Sequence, residues 1–214
     1  MITNGTPASC VQLGLYSNLF PDRAHTPTDL VISGPNHGRN ASTIYNLSSG
    51  TVGGALEAAN CGKRGIAISF GSKDPQTLGT IRAAAHLAVR VVQHLVRNWD
   101  DRVELYNLNI PMREDVGSRP VQFTRALPYY WDRGCLYAEI PPESGDGEKM
   151  VGHVEATESE LRNGNSESRC GSGSGPGLKQ RSFKWAAELS GMKKALQASE
   201  EGTDAHAVLN GCTR

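Results

Sequence analysis

Two clusters of polar residues stand close together in the first quarter of the chain. Asn36-His37-Gly38-Arg39-Asn40 is the first, and Ser49-Gly50-Thr51 is the second. A Ser-Gly entry to a helix turns backbone N–H groups and the positive end of the helix dipole outward together, which suits an anion such as phosphate. Ser49, Gly50 and Thr51 are the candidate cradle, with Arg39 a candidate charge clamp. An Asn carbonyl oxygen suits a hard dication such as Mg²⁺ or Mn²⁺, and Asn36 is placed to offer one. His37 has two readings: a group that moves a proton or orients an anion, or a loop histidine satisfied by backbone groups.

Other constellations carry less. Gly62-Lys63 resembles part of a P-loop, but Glu57 stands where the tight glycine belongs and Arg64 where a Ser or Thr belongs. His86 and His94 lie two helical turns apart, with no third ligand at matching spacing, so packing or surface roles are expected. Cys10, Cys61, Cys135, Cys170 and Cys212 are odd in number and form no Cys-x-x-Cys pair, so neither a disulfide framework nor a zinc site is indicated.

The elements that must position the clusters follow from hydrophobic period. Leu30 to Ile32 is a short apolar run expected to be a buried strand that ends at Ser33-Gly34-Pro35. Thr51 to Ala59 carries Val52, Ala55, Leu56 and Ala59 at helical spacing, with Gly62 as the expected C-cap. Gly65 to Phe70 and Val103 to Ile110 are further strands, separated by a long helix from Gln76 to Trp99. Val11 to Leu19 is a shorter helix, and Phe20 to Thr28 a polar loop. Strand, helix, strand, helix, strand predicts right-handed parallel crossovers and a three-layer α/β/α, Rossmann-like fold with a mostly parallel sheet. In such sheets ligands sit beyond the carboxyl ends of the strands, where both polar clusters fall.

The later half is less regular. Gln122 to Ile140 carries Tyr129, Tyr130, Trp131 and Tyr137 and is compatible with a β-hairpin. Residues 142–180 are dominated by Gly, Ser, Glu and Asp, too polar to order themselves, and form an expected insert. Phe183, Trp185, Leu189, Met192 and Leu196 suggest a packed helix or turn returning to the core. One domain over residues 1–214 is expected: a core over 1–141, the insert over 142–180 and the return over 181–214.

The 22 basic and 22 acidic residues cancel, so no general attraction to a nucleic-acid duplex or an anionic membrane is expected. The chain contains no apolar run long enough to span a bilayer, and its start has no charged-then-apolar signal pattern. The scattered cysteines favour a reducing, cytoplasmic location. Sequons at Asn4, Asn40 and Asn46 are read as by-products of loops rich in Asn, Ser and Thr.

Ser33-Gly34-Pro35-Asn36-His37-Gly38-Arg39-Asn40, followed by Ser49-Gly50-Thr51-Val52-Gly53, resembles the paired motifs of the SurE (survival protein E) family of metal-dependent nucleotidases and phosphatases. Gly5-Thr6-Pro7-Ala8-Ser9-Cys10-Val11, Asn107-Leu108-Asn109-Ile110-Pro111, Phe183-Lys184-Trp185-Ala186 and Gly202-Thr203-Asp204-Ala205-His206-Ala207-Val208 are similar to further stretches of that family. The resemblance implies a phosphomonoesterase acting on nucleoside monophosphates or other small phosphate esters through metal-activated water. It also implies Asn36 as a metal ligand and Mg²⁺ or Mn²⁺ as cofactor. Family members commonly dimerise through extended C-terminal segments, so a homodimer is an expected assembly. The family also carries an Asn-Asp-Asp-Gly strand end, whose two Asp residues are its main metal ligands, and a Ser ligand from a following loop. Neither is matched in this sequence, and the family's closing strand is not matched after Arg214, so the chain is expected to be an incomplete version of the fold. A catalytically dead relic that keeps phosphate or partner binding is the alternative. A dinucleotide-binding oxidoreductase is weaker, for want of Gly-x-Gly-x-x-Gly after a strand.

Overall fold

The structure, a computed structural model, describes residues 4–17, 28–72, 74–131, 135–140 and 182–214. The expected insert at 142–180 lies outside them, as does nearly all of the loop at 20–28. The chain gathers into two compact units, Met1–Arg133 with Leu189–Arg214, and Gly134–Glu188.

The first unit is built on three parallel strands in the order β1-β2-β3: β1 (Leu30–His37), β2 (Arg64–Phe70) and β3 (Leu105–Ile110). Helix α1 (Pro7–Tyr16) precedes them, starting before the expected Val11 because Thr6 caps it by accepting from Ser9 N–H at 3.1 Å. Between β1 and β2 come α2 (Thr43–Ser48) and α3 (Gly50–Asn60). Helix α4 (Leu78–Arg97) joins β2 to β3 and starts at the Thr77 cap. A 3₁₀ turn (Glu114–Ser118) follows β3, and α5 (Ser190–Gln197) and α6 (Asp204–Leu209) end the unit.

The two faces of β2 differ in side-chain size, and each takes a different cover. Ile66 and Ile68 pack with Leu108 and Ile110 of β3 against Ala84, Leu87, Ala88 and Leu95 of α4. Ala67 packs against Val52 and Ala55 of α3. Gly65 is on this second face, where α3 comes so close that a Cβ would lie 2.4 Å from the Ala55 carbonyl oxygen. Helices therefore cover both faces, giving three α/β/α layers.

The two crossovers step the same way across the sheet but lie on opposite faces, so they have opposite hands. The expectation of right-handed connections throughout holds for one of them only. Size complementarity supplies a physical reason: the Gly and Ala positions of β2 admit α3 closely, and its Ile positions need the bulkier face of α4.

Strand β1 also departs from expectation by running on through Gly34-Pro35 to His37. It is an edge strand of the described sheet, and its register with β2 shifts by one residue between Ser33 and Asn36. An edge position and a bulge are where a sheet accepts proline. Gly34 has φ +121°, and a Cβ there would meet the Ile68 carbonyl oxygen at 2.3 Å, so glycine alone fits.

In the second unit, β4 (Tyr137–Ile140) pairs antiparallel with β5 (Ser182–Trp185), and the Tyr137 and Trp185 rings meet edge-on at 5.4 Å. This replaces the hairpin expected within Gln122–Ile140. It also replaces the helix or turn expected at Phe183 and Trp185, which are exposed strand residues. Residues 121 and 125 make single bridges to Thr213 and Thr203 instead.

Candidate functional site

Helix α3 starts at the carboxyl end of β1 because Ser49 caps it. The Ser49 side-chain oxygen accepts from Val52 N–H at 3.1 Å, and Gly53 N–H reaches the Ser49 carbonyl at 2.9 Å. Capping uses a lone pair of the Ser49 hydroxyl and leaves its proton available for an anion. The N–H groups of Gly50 and Thr51 make no backbone hydrogen bond among the described residues. Pro7 of α1 packs over Gly50, where a Cβ would lie 3.3 Å from the proline ring. The arrangement offers donors and a helix dipole to one negative group.

The β1 bulge decides which residue faces this helix. Ser33 is in register with Ala67 on the α3 face, and the extra residue then brings Asn36 opposite Ser69, again on that face. Asn36 is half-buried and donates from Nδ2 to the Gly38 carbonyl at 2.9 Å, which leaves Oδ1 as a free acceptor among the described residues. His37 is in register with Phe70, so strand alternation turns it to the α4 face, and it is exposed. Arg39 is exposed on the loop that follows. The structure thus brings Asn36 and the Ser49–Thr51 cradle to one end of one face, and does not bring His37 with them.

A hard dication takes six or more oxygen ligands, usually with carboxylates among them. Among the described residues no three His, Cys, Asp or Glu groups converge to hold a metal ion. The single amide oxygen of Asn36 does not make such a site, so the described residues do not fit a resident cation. His86 and His94 are exposed on α4.

Behind the Gly38–Asn40 loop lies a buried polar network that periodicity could not reveal. Asn40 N–H donates to Asn109 Oδ1 at 2.7 Å, and Asn40 Nδ2 donates to Ser69 Oγ at 2.9 Å. Asn107 and Asn109 both donate to the Asn40 carbonyl, at 3.1 and 3.2 Å, and Arg214 donates to it as well. Asn107 also donates to Asn46 Oδ1 at 2.9 Å, tying in α2. Arg214 exchanges backbone hydrogen bonds with Asn109, N–H to O at 2.9 Å and 3.3 Å, as in an antiparallel pair.

Asp204 is the centre of the far side. It is fully buried, pairs with Arg214 at 2.9 Å, and accepts from Ser42 N–H at 2.7 Å and from Leu127 N–H at 2.9 Å. Burial pushes the Arg214 guanidinium down from its ordinary value to about 10, and Asp204 beside it limits the fall. Ser42 has φ 74° and ψ 160°, a conformation close to glycine-only that costs about 1–3 kcal/mol. Its side-chain oxygen is buried without a partner, so its own hydroxyl does not support that backbone. Thr43 is stapled beside it, donating from Oγ1 to the Tyr129 carbonyl at 2.6 Å and accepting from Tyr129 N–H at 2.8 Å.

Residues 1–133 match the family described as Survival protein SurE. The chain is 43% identical over 107 residues to the 5'-nucleotidase SurE of Rhodopirellula baltica, covering 50% of this chain and 39% of that protein. It is also 43% identical over 121 residues to a Saccharomyces cerevisiae protein named probable tubulin–tyrosine ligase PBY1, covering 54% of this chain and 15% of that one. The chain therefore spans well under two thirds of either relative. The crystal structure of the Aquifex aeolicus SurE protein superposes with a TM-score of 0.59 at 26% identity, covering 98% of this chain and 65% of that one. The paired motifs, the α/β/α layers and the match over most of the first unit place this chain in the survival protein SurE family.

Proposed function

We propose that this chain binds the phosphate group of a small phosphomonoester at the N-terminus of α3, as the phosphate-recognising part of a nucleotidase site. The observation that carries the reading is the pair of N–H groups at Gly50 and Thr51, uncommitted among the described residues, behind the Ser49 cap, at the end of β1 where Asn36 shares the α3 face. Nucleoside monophosphates are the first substrate class to test, because a relative matching half of the chain is named 5'-nucleotidase. Arg39, exposed on the adjoining loop, is proposed as a mobile counter-charge. No proton-transfer role is proposed for His37. Homodimerisation, implied by the resemblance, belongs to the same proposal and is read by sedimentation.

Mg²⁺ or Mn²⁺, when bound in a site of this kind, neutralises phosphate charge and lowers the pKa of water. The described residues do not assemble its ligands. That observation favours a second reading, a chain that binds phosphate without turning it over.

Ser49→Asp tests the binding site. Aspartate caps a helix as well as serine does, but places a negative charge where the phosphate would sit. The expected result is an unchanged melting temperature with at least a tenfold loss of affinity for inorganic phosphate and for a nucleoside monophosphate. Retained affinity would move the anion site away from α3.

A further inference from the structure

We propose that Asp204 is a positioning residue of this site: with Arg214 it holds the glycine-like backbone turn at Ser42, and through it both halves of the phosphate-binding constellation. The proposal rests on the phosphate-site reading above. Asp204 lies 162 residues along the chain from Ser42, yet its Oδ2 accepts the Ser42 N–H at 2.7 Å while its Oδ1 accepts Leu127 N–H at 2.9 Å. Ser42 joins two parts of the site. On one side are Asn36 at the end of β1 and the loop carrying Arg39, and on the other is α2, which leads directly to the Ser49 cap.

Several observations converge on that turn. The φ of 74° with ψ 160° is a conformation serine does not hold unaided, and the Ser42 hydroxyl is buried without a partner. The restraint must come from outside the residue. Arg214 supplies its second part: it pairs with Asp204 and also donates to the Asn40 carbonyl, two residues before the turn. One buried ion pair thus grips both ends of Asn40–Ser42. Asn109 grips the same segment from β3, so a loosened turn would be felt first at Asn40 and Gly38, whose amides bond to Asn109 Oδ1 and the Phe70 carbonyl.

The test uses the whole chain in three forms: parent, Asp204→Asn, and Asp204→Asn with Ser42→Gly. Glycine adopts the turn without help, so it should replace the lost restraint. Without ligand, amide exchange at Gly38 and Asn40 is expected to rise at least tenfold in Asp204→Asn, while Ile66 and Ile68 amides change less than threefold. The double variant should return Gly38 and Asn40 to within threefold of the parent. Affinity for inorganic phosphate should follow the same pattern, with at least a tenfold loss and recovery to within threefold. If Asp204→Asn does not fold, Arg214→Lys keeps the charge but loses the guanidinium fork, and about threefold faster exchange at Asn40 is expected. Uniform acceleration across β2 and the loop, no recovery on adding Ser42→Gly, or no change in Arg214→Lys would each overturn the proposal. A parent chain that binds no phosphate would sink the functional reading alone, because the exchange pattern still decides the positioning role.

Discussion

The carboxylate of Asp204 and the backbone N–H of Ser42, at 2.7 Å, join the end of the chain to a strained turn beside the candidate phosphate site. Ser42→Gly should therefore stabilise the protein by about 1 kcal/mol, since glycine removes the strain at some cost in chain entropy. Urea titration checks this. A loss of stability would mean that the buried hydroxyl contributes more than its geometry indicates.

Asp204→Ala should act in the opposite direction. Removing one partner of a buried ion pair leaves Arg214 charged and uncompensated, at a cost of about 3–5 kcal/mol. Arg214→Met combined with Asp204→Leu should recover the part of that loss due to the uncompensated charge, though not the part due to the orphaned Ser42 and Leu127 N–H groups. A double variant no more stable than Asp204→Ala would contradict this account.

Turnover is expected to be very weak or absent when the chain is assayed with Mg²⁺ or Mn²⁺ on p-nitrophenyl phosphate or a nucleoside monophosphate. One neutral amide oxygen does not retain a hard dication. Supplying an Asn-Asp-Asp-Gly strand end of the family type should raise the rate, and Asn36→Ala should then abolish it. Strong metal-dependent turnover by the chain alone, indifferent to Asn36→Ala, would place the site elsewhere.

The acid limb of stability should contain a contribution from Asp115. Hydrogen bonds from Arg113 and Arg119 hold its carboxyl at about 2, below the ordinary 3.8. A carboxylate depressed on folding stabilises above its unfolded pKa and loses that effect as pH falls through the folded value. The melting temperatures of parent and Asp115→Asn should differ most above pH 4 and converge towards pH 2. A gap that widens on acidification would show the sign to be wrong.

The regular elements were legible in the sequence because their periodicity is strong. The apolar face of α4, the continuous run Gly65–Phe70 and the Ser49-Gly50 entry to α3 each specify local structure by themselves. Helix α2 was missed because six residues barely complete one apolar period. The course of β1 past Pro35 was missed because a bulge is a relation between two strands, of which the sequence displays one at a time. The partnership of β4 and β5 joins segments more than forty residues apart, and four-residue strands carry too short a pattern to declare a register. Asn36, Ser49, Gly50 and Thr51 stood out by residue type. The network around Asn40 did not, because Asn107, Asn109, Asp204 and Arg214 acquire meaning only through long-range contacts. The Thr203-Asp204 stretch was a visible signal, but nothing local revealed that its carboxylate reaches Ser42.

The opposite hands of the two crossovers divide the labour of the sheet by parity. Along β2, even positions belong to cohesion: Ile66 and Ile68 enter the core under α4. Odd positions face the candidate site: Ala67 seats α3, and Ser69 receives Asn40 and stands opposite Asn36. The same rule extends into β3, where Leu108 and Ile110 are core residues and Asn107 and Asn109 hold the loop. Ile66→Ala should accordingly cost about 2–5 kcal/mol and leave phosphate affinity intact in the folded fraction. A one-residue insertion in β2 would be a different kind of lesion, since it would exchange the two roles along the rest of the strand at a single stroke.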